Sequence, residues 1–314
     1  MNKELAKRFY SDMYKIRRFE QEVFEFYKTG QMAGLAHLYI GEEAVAAGAC
    51  AAIEARDYIA STHRGHGHLV ARGADMGRMM AEILGKETGY SKGKGGSMHI
   101  MAMDLGILGA NGIVGGGIPM ATGAGYSAKY RGTDQATLCF FGDGAANEGT
   151  FHESINMAAA WDLPVVYVIE NNLYGITVDS RRVTKEHDLA KRAIGYGIPG
   201  YTIDGNDVET VYKTMQKAVK HAREGKGPSI VECKTYRHHG HNGSDPGTYR
   251  PPEEVEAWKA RDPLILFRDK GYLTEKERKE IEDKVEQEVQ AACKFAAESP
   301  YPEASELMDD IFCD

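Results

Sequence analysis

Two short apolar runs in the middle of the chain constrain its fold more than any other feature. Residues 137–141 and 164–169 each have the length and composition of a buried β-strand, and a helical stretch over residues 150–161 separates them. Asp207 is a typical helix cap, and its helix leads to a third such run at residues 229–236. This alternation of strand and helix predicts an α/β fold with a parallel sheet flanked by helices.

The two ends of the sequence are predicted to be helical. Residues 4–30 carry apolar side chains at steps of three and four, and the region after residue 251 is charged and helical, above all at 275–297. A chain of 314 residues suits one large domain. We therefore expect a single domain over residues 1–314, with an N-terminal helical extension (about 1–60) and a solvent-facing C-terminal helical region (about 251–314).

The net charge and the positions of the cysteines limit which partners the protein is expected to bind and which cellular compartment it is expected to occupy. With 38 basic and 46 acidic residues the formal charge is −8, so nucleic acid and anionic membranes are poor candidates as partners. The five cysteines are scattered without a Cys-x-x-Cys pair, and the first residues resemble neither a signal nor a transit peptide. The uncharged stretch 105–128 is too rich in glycine for a spanning helix. We expect a cytoplasmic protein without a membrane segment.

Polar residues follow both central strands directly. A Gly-Asp-Gly sequence places Asp143 after the first, and a Glu-Asn-Asn sequence places Asn172 after the second. If the strands are parallel neighbours, both side chains lie at the carboxyl edge of the sheet, where ligands bind in open α/β folds. One carboxylate and one amide oxygen suit Mg²⁺, and the glycines let backbone approach a diphosphate. Each sequence alone favours an ordinary turn or loop, but the two together favour a site.

The sequence around these residues resembles a known family. Residues 141–149, 156–159 and 170–175 resemble the thiamine diphosphate fingerprint of the alpha subunit of 2-oxoacid dehydrogenase first components. That group includes pyruvate and acetoin dehydrogenases. The resemblance extends over residues 35–263 and implies a thiamine diphosphate-binding fold.

The resemblance implies specific ligands for the metal and the diphosphate. Asp143, the side chain of Asn172 and the backbone carbonyl of Tyr174 would bind Mg²⁺. Gly144 and Ala145 would contact the diphosphate of the cofactor.

Further cofactor contacts are implied from other parts of the chain. Arg64 would bind the diphosphate, for which its guanidinium offers fixed bidentate donors; the preceding residue is His63, where the family commonly has Tyr. Backbone at Gly112 and Val114 would hold the aminopyrimidine ring. Ile176 would wedge the cofactor into its bent shape, since a β-branched side chain is stiff. Taken alone, Ile176 reads as ordinary core and the glycines around residue 112 as a flexible loop.

Three histidines match active-site positions of the family. His66 matches an active-site histidine of the family, and His37 and His241 would transfer protons and stabilise intermediates. Without the resemblance, His66 is equally typical of a structural histidine, and the histidines at 238, 239 and 241 are typical of polar surface without zinc-ligand spacing. Asn242 stands where mitochondrial relatives carry a regulated serine, so phosphorylation there is not implied.

The implied reaction is cleavage of acetoin, or decarboxylation of pyruvate, with transfer of the two-carbon unit to a lipoyl group of an acyltransferase component. The short N-terminus and the glycine-rich blocks at 93–99 and 108–117 favour acetoin. A beta subunit, in an α₂β₂ assembly, would supply the carboxylate that activates the cofactor. The alternative from another class is an NAD-dependent oxidoreductase, because residues 123–128 fit Gly-x-Gly-x-x-Ala; they lie, however, inside a predicted helix.

Overall fold

A parallel six-stranded sheet organises the molecule, and its strand order brings the two central apolar runs side by side. The computed structural model describes residues 1–32, 34–309 and 311. Its strands are β1 (Tyr58–Ala60), β2 (Ile107–Gly109), β3 (Thr137–Gly142), β4 (Val165–Asn171), β5 (Tyr174–Gly175), β6 (Val178–Asp179), β7 (Gly200–Asp204) and β8 (Ser229–Lys234). The order in the main sheet is β2-β1-β3-β4-β8-β7, with every neighbouring pair parallel, while β5 and β6 form a separate antiparallel pair. The predicted α/β class is confirmed.

Helices cover both faces of this sheet. The α-helices are α1 (Lys3–Lys28), α2 (Glu43–Ala51), α3 (His66–Ala71), α4 (Met76–Ile83), α5 (Gly117–Tyr130), α6 (Gly149–Ala160), α7 (Ser180–Val183), α8 (Val208–Arg223), α9 (Pro252–Lys259), α10 (Pro263–Asp269) and α11 (Glu275–Glu298). Short 3₁₀ helices lie at Met103–Leu105, Ala145–Asn147, Leu189–Tyr196 and Ala304–Met308. Asp207 caps α8 by accepting a hydrogen bond from the backbone of Glu209, as the sequence predicted.

Alternation along β3 and β4 divides the core into two layers. Phe140 and Val168 point to the side covered by α2 and α8, whereas Phe141 and Ile169 point to the side covered by α5 and α6. Because both faces are covered, the strands are apolar at nearly every position. The register pairs Gly142 with Glu170, so both strands end at the same level.

The C-terminal helix departs from the expectation of a solvent-facing element. α11 packs against α1 and α4. The residues that it buries lie at steps of four, three and four: Val285, Val289, Ala292 and Ala296. These residues form one apolar stripe beneath an otherwise charged surface. The many charged residues of this region lie on the outer face of the helix, so they indicate exposure of that face alone.

Five short strands have no counterpart in the prediction: β1, β2, β5, β6 and β7. β1 lies within the region at about residues 1–60, so this region contributes a strand to the sheet as well as helices. α5 begins at Gly117, two residues before the expected Pro119.

Across the described ranges, no helix combines the length and apolar character needed to cross a membrane.

Candidate active site

A cavity of about 310 Å³ lies at the carboxyl edge of the sheet. Asp143 follows the last residue of β3, and Asn172 follows the last residue of β4. Most of the residues predicted for a site line this cavity: Arg64, Val114, Asp143, Gly144, Ala145, Asn172, Tyr174, Ile176 and His241. Parallel pairing of neighbouring strands explains why residues so far apart in the sequence meet here.

Asp143 is the most unusual group in the cavity. The residue is only 3% exposed, and its Oδ2 atom has no hydrogen-bond partner among the described residues. Burial raises the pKa of Asp143 to about 6. A buried carboxylate oxygen without a partner is costly unless a cation or a donor satisfies it. The side chain therefore fits the role of a cation ligand.

Asn172 is held with its amide nitrogen turned toward Glu42. Its Nδ2 atom donates to Glu42 Oε1 at 3.2 Å and Oε2 at 3.4 Å, which leaves the amide oxygen as an acceptor. Burial raises the pKa of Glu42 to about 8, although the nearby Arg64 guanidinium opposes this shift. The neighbouring Asn171 instead donates to Glu232 at 2.7 Å, and it does not line the cavity. Of the two asparagines, Asn172 is thus the one that a ligand can reach.

The loop after Asn172 is strained and is held by a buried arginine. Ile176 has a φ of 54°, which is unusual for a β-branched residue, and its side chain is 58% exposed. Arg237 donates from Nη1 to the carbonyl oxygen of Tyr174 at 3.0 Å and from Nη2 to that of Ile176. A carbonyl oxygen has two lone pairs, so the Tyr174 oxygen can accept from Arg237 and also face a cation.

Arg64 lines the cavity, but part of its guanidinium is already engaged. Its Nη1 atom donates to the carbonyl oxygen of Leu38 at 2.7 Å, and its Nη2 atom donates to that of His241 at 3.0 Å. Its Nε atom lies 3.7 Å from Glu42 Oε1. Since a guanidinium has five N–H donors, these contacts fix its position and leave donors for an anion.

Two glycines, Gly144 and Gly175, lie opposite each other in the wall of the cavity. A Cβ atom built on Gly144 would lie 3.6 Å from the Cα atom of Gly175. Both residues line the cavity. A side chain at either position would occupy the space in which a ligand could meet backbone N–H groups. The cradle fits a diphosphate.

Three of the predicted site residues do not line the cavity. His66 is buried, with Nδ1 at 3.0 Å from Glu20 Oε2 and Nε2 at 3.0 Å from Ser97 Oγ, so both ring nitrogens are engaged away from the cavity. Gly112 faces the ring of His99, although the residues on either side of it line the cavity. His37 lies behind the cavity wall, with its ring centre 4.9 Å from that of His241.

His37 and His241 are neutral around pH 7. Burial, with a contribution from the Arg64 guanidinium, lowers the pKa of His37 to about 3 and that of His241 to about 4. Within the described part of the chain, the Nδ1 atom of each has no hydrogen-bond partner. Neutral imidazoles can donate a hydrogen bond to an oxyanion that develops on a substrate.

Sequence reasoning did not assign Arg237 and Glu42 to the site. Arg237 follows β8, which pairs with β4 and ends at the same edge, so the rule that located Asp143 and Asn172 could also have located it. Glu42 precedes α2, and no pattern in the sequence shows that this residue faces Asn172.

The alternative of a dinucleotide-binding enzyme does not fit the structure. Residues 123–128 lie inside α5, whereas a dinucleotide fingerprint requires a turn between a strand and a helix.

Comparisons with known proteins agree with this geometry. The family model "Dehydrogenase E1 component" matches residues 11–305. The chain is 47% identical to the alpha subunit of acetoin:2,6-dichlorophenolindophenol oxidoreductase of Bacillus subtilis, covering 99% of this chain and 95% of that protein. It is 42% identical to the alpha subunits of the pyruvate dehydrogenase E1 components of Rickettsia felis and Rhizobium meliloti, covering 97% and 99% of this chain and 94% and 90% of theirs. This family implies thiamine diphosphate as the cofactor. The chain belongs to the dehydrogenase E1 component family of oxidoreductases.

Proposed function

We propose that the chain is the alpha subunit of a cytoplasmic acetoin dehydrogenase that uses thiamine diphosphate and Mg²⁺. It cleaves acetoin, releases acetaldehyde and passes the remaining two-carbon unit to a lipoyl group of an acyltransferase component. The observation that carries this proposal is the buried Asp143, whose Oδ2 atom has no hydrogen-bond partner among the described residues, beside Asn172 in a cavity at the sheet edge. The second candidate is a pyruvate dehydrogenase alpha subunit, favoured by the relatives at 42% identity.

Oxygen atoms of three residues would hold the magnesium ion. These are the carboxylate of Asp143, the amide oxygen of Asn172 and the backbone carbonyl oxygen of Tyr174. Glu42 orients the Asn172 amide, and Arg237 fixes the Tyr174 carbonyl. Mg²⁺ prefers such a sparse set of oxygen ligands and completes its shell with phosphate oxygens and water.

The remaining cofactor contacts come from the cavity walls. Gly144 and Ala145 would offer backbone N–H groups to the diphosphate, and Arg64 would add charge. Backbone at Gly112 and Val114 would hold the aminopyrimidine ring, and the stiff side chain of Ile176 would press against the cofactor. When bound, thiamine diphosphate supplies the nucleophilic carbon and the electron sink for the reaction.

Two histidines would act on the substrate. Both are neutral; His241 lines the cavity, and His37 lies behind the cavity wall against the His241 ring, so they would donate hydrogen bonds or protons to oxygen atoms of a substrate at this wall. His66 is engaged by Glu20 and Ser97, and we assign it a positioning role: it connects α1 to the loop at Ser97.

An open cavity rim and an apolar helical face support a partner subunit. Ile113 and Val114 at the rim are 72% and 51% exposed. Large exposed apolar side chains also lie on α5, α6 and the residue after α6: Met120, Tyr126, Tyr130, Met157 and Trp161. Patches of this kind mark protein interfaces. In the proposed α₂β₂ assembly the beta subunit completes the site and supplies the carboxylate that activates the cofactor.

Dye-coupled turnover of the chain with its beta subunit, thiamine diphosphate and Mg²⁺ tests the proposal. Acetoin and pyruvate are offered separately, and omission of the beta subunit is the control. Turnover of acetoin well above pyruvate is the expected result. The reverse preference would establish the second candidate, and turnover by this chain alone would refute the need for a partner.

A further inference from the structure

Three histidines from distant parts of the sequence meet beside the cavity. His37, His63 and His241 each offer a ring nitrogen, and these nitrogens lie within 4.8 Å of one another. The ring centre of His63 is 4.9 Å from that of His37 and 5.6 Å from that of His241. His63 follows β1 and has no role in the proposed reaction.

The imidazoles of this cluster are poor in hydrogen bonds. His37 is only 4% exposed, and its Nδ1 atom has no partner among the described residues; the same is true of Nδ1 in His241. Burial and the Arg64 guanidinium lower the pKa of His63 to about 2, so its ring is also neutral around pH 7. A metal must displace a proton from a charged imidazole but not from a neutral one.

We propose that His37, His63 and His241 bind a divalent transition metal of the zinc type, at a site separate from the oxygen ligands of Mg²⁺. Three imidazoles with an open fourth position are a frequent ligand set for Zn²⁺, and imidazole ligands select zinc-type ions over Mg²⁺. A tetrahedral zinc site holds its nitrogens about 3.4 Å apart. His63 and His241 are partly exposed, which gives their rings room to close the remaining distance.

Charged groups around the cluster set limits on its affinity. Arg64 and Arg237 oppose a cation there, as their effect on the pKa of His241 shows. Asp245, which accepts a hydrogen bond from the backbone of His241 at 2.6 Å, favours a cation there and offsets part of this opposition. A negative fourth ligand such as hydroxide or chloride would further balance the ion.

Metal binding would have a consequence for the enzyme. A bound Zn²⁺ would engage His37 and His241, which the proposed function assigns to the substrate. Zinc therefore acts as a reversible inhibitor that a chelator removes. This consequence rests on the proposed function, whereas binding of the metal does not.

Cobalt binding tests the site without any activity measurement. The complex of the chain with its beta subunit is treated with a chelator, saturated with Mg²⁺ and titrated with Co²⁺. We expect one Co²⁺ per alpha chain with the visible absorption of tetrahedral coordination, displaced by Zn²⁺. His63→Gln should weaken this binding at least tenfold. His187→Gln, which removes an exposed imidazole elsewhere, should leave binding unchanged.

A second variant separates the loss of a ligand from the loss of the fold. His63→Cys keeps a zinc-type ligand, because thiolate also binds Co²⁺ and Zn²⁺. It should bind Co²⁺ and add a near-ultraviolet charge-transfer band that the wild type lacks. Equal Co²⁺ binding by the wild type and His63→Gln, or His63→Cys without the new band, would overturn the proposal.

Discussion

Two buried carboxylates in this molecule have opposite surroundings. Glu82, at the end of α4, is fully buried and holds together the glycine-rich loop that follows. Its oxygens accept hydrogen bonds from backbone N–H groups of this loop, among them those of Ser91, Gly93, Gly95 and Gly96. Asp143, at the end of β3, is nearly as buried but leaves Oδ2 without a partner in the described structure.

This difference indicates that Glu82 serves the stability of the fold, whereas Asp143 serves the binding of a ligand. The Glu82 carboxylate is satisfied by the chain itself, so its hydrogen bonds stabilise the loop. The Oδ2 atom of Asp143 has no such partner among the described residues, so it costs stability in the free chain unless a ligand satisfies it. A buried polar atom that lacks a hydrogen-bond partner in the fold is thus a better indicator of a ligand site than a high density of glycines in the surrounding sequence.

The largest expected effect concerns activity and Asp143. In the complex with the beta subunit, Asp143→Asn should lower turnover at least about 100-fold, because a metal ligand that contributes several kcal/mol to the transition state is lost. The urea midpoint of the free chain should not fall, since the variant removes a buried charge whose Oδ2 atom has no hydrogen-bond partner among the described residues. Turnover above a tenth of the wild-type rate would contradict the assignment.

Glu82 should give the opposite result. Glu82→Gln replaces one acceptor oxygen by an amide that faces N–H donors, so the free energy of unfolding should fall by about 3 kcal/mol. Urea unfolding measures this loss. Glu87→Gln, an exposed carboxyl in the same segment, is the matched control and should change stability by less than about 0.5 kcal/mol. An equal effect of the two variants would show that Glu82 does not organise the loop.

The sequence predicted the part of the site that depends on regular structure. β3 and β4 are continuous apolar runs, and the rule for parallel neighbours then placed Asp143 and Asn172 together. Strands such as β1 and β2 are only three residues long, too short to produce a periodic signal. Most of the contacts that complete the cavity likewise come from segments that produce no periodic signal in the sequence.

Side-chain orientation was outside the reach of sequence reasoning. His66 matches an active-site motif, but its ring is engaged by Glu20, 46 residues away on α1. The many charged residues of α11 made its apolar stripe hard to recognise in the sequence. The contact between Glu42 and Asn172 joins residues that are 130 positions apart. Such contacts follow from the packing of whole elements, which a local pattern does not encode.

The buried imidazole of His63 should make the stability of the fold sensitive to acid. His63 titrates near pH 6.5 when the chain is unfolded but has a pKa of about 2 when folded. Its contribution to stability is therefore complete above pH 6.5 and is lost as the pH falls below it, by up to about 1.4 kcal/mol per pH unit. His63→Gln should flatten the dependence of the unfolding free energy on pH between 6 and 5 by that amount. Urea titrations at each pH measure it, and an unchanged slope would contradict the burial of this imidazole.

The smallest effect should come from backbone strain at Ile176. Ile176→Gly relieves a positive φ that costs about 1–2 kcal/mol, while the added freedom of glycine in the unfolded chain offsets about 1 kcal/mol. A rise in stability of up to about 1 kcal/mol should accompany weaker binding of thiamine diphosphate to the complex.

Gly93→Ala is the matching experiment in the glycine-rich loop that Glu82 holds together. Gly93 also has a positive φ, and a Cβ atom there would lie 2.5 Å from the carbonyl carbon of Gly85, so this variant should lose at least about 1 kcal/mol. Urea unfolding gives both stabilities, and ligand titration gives the affinity. If Ile176→Gly lost stability like Gly93→Ala, the strained loop would serve the fold and not the ligand, and the contrast between the two regions would fail at this residue.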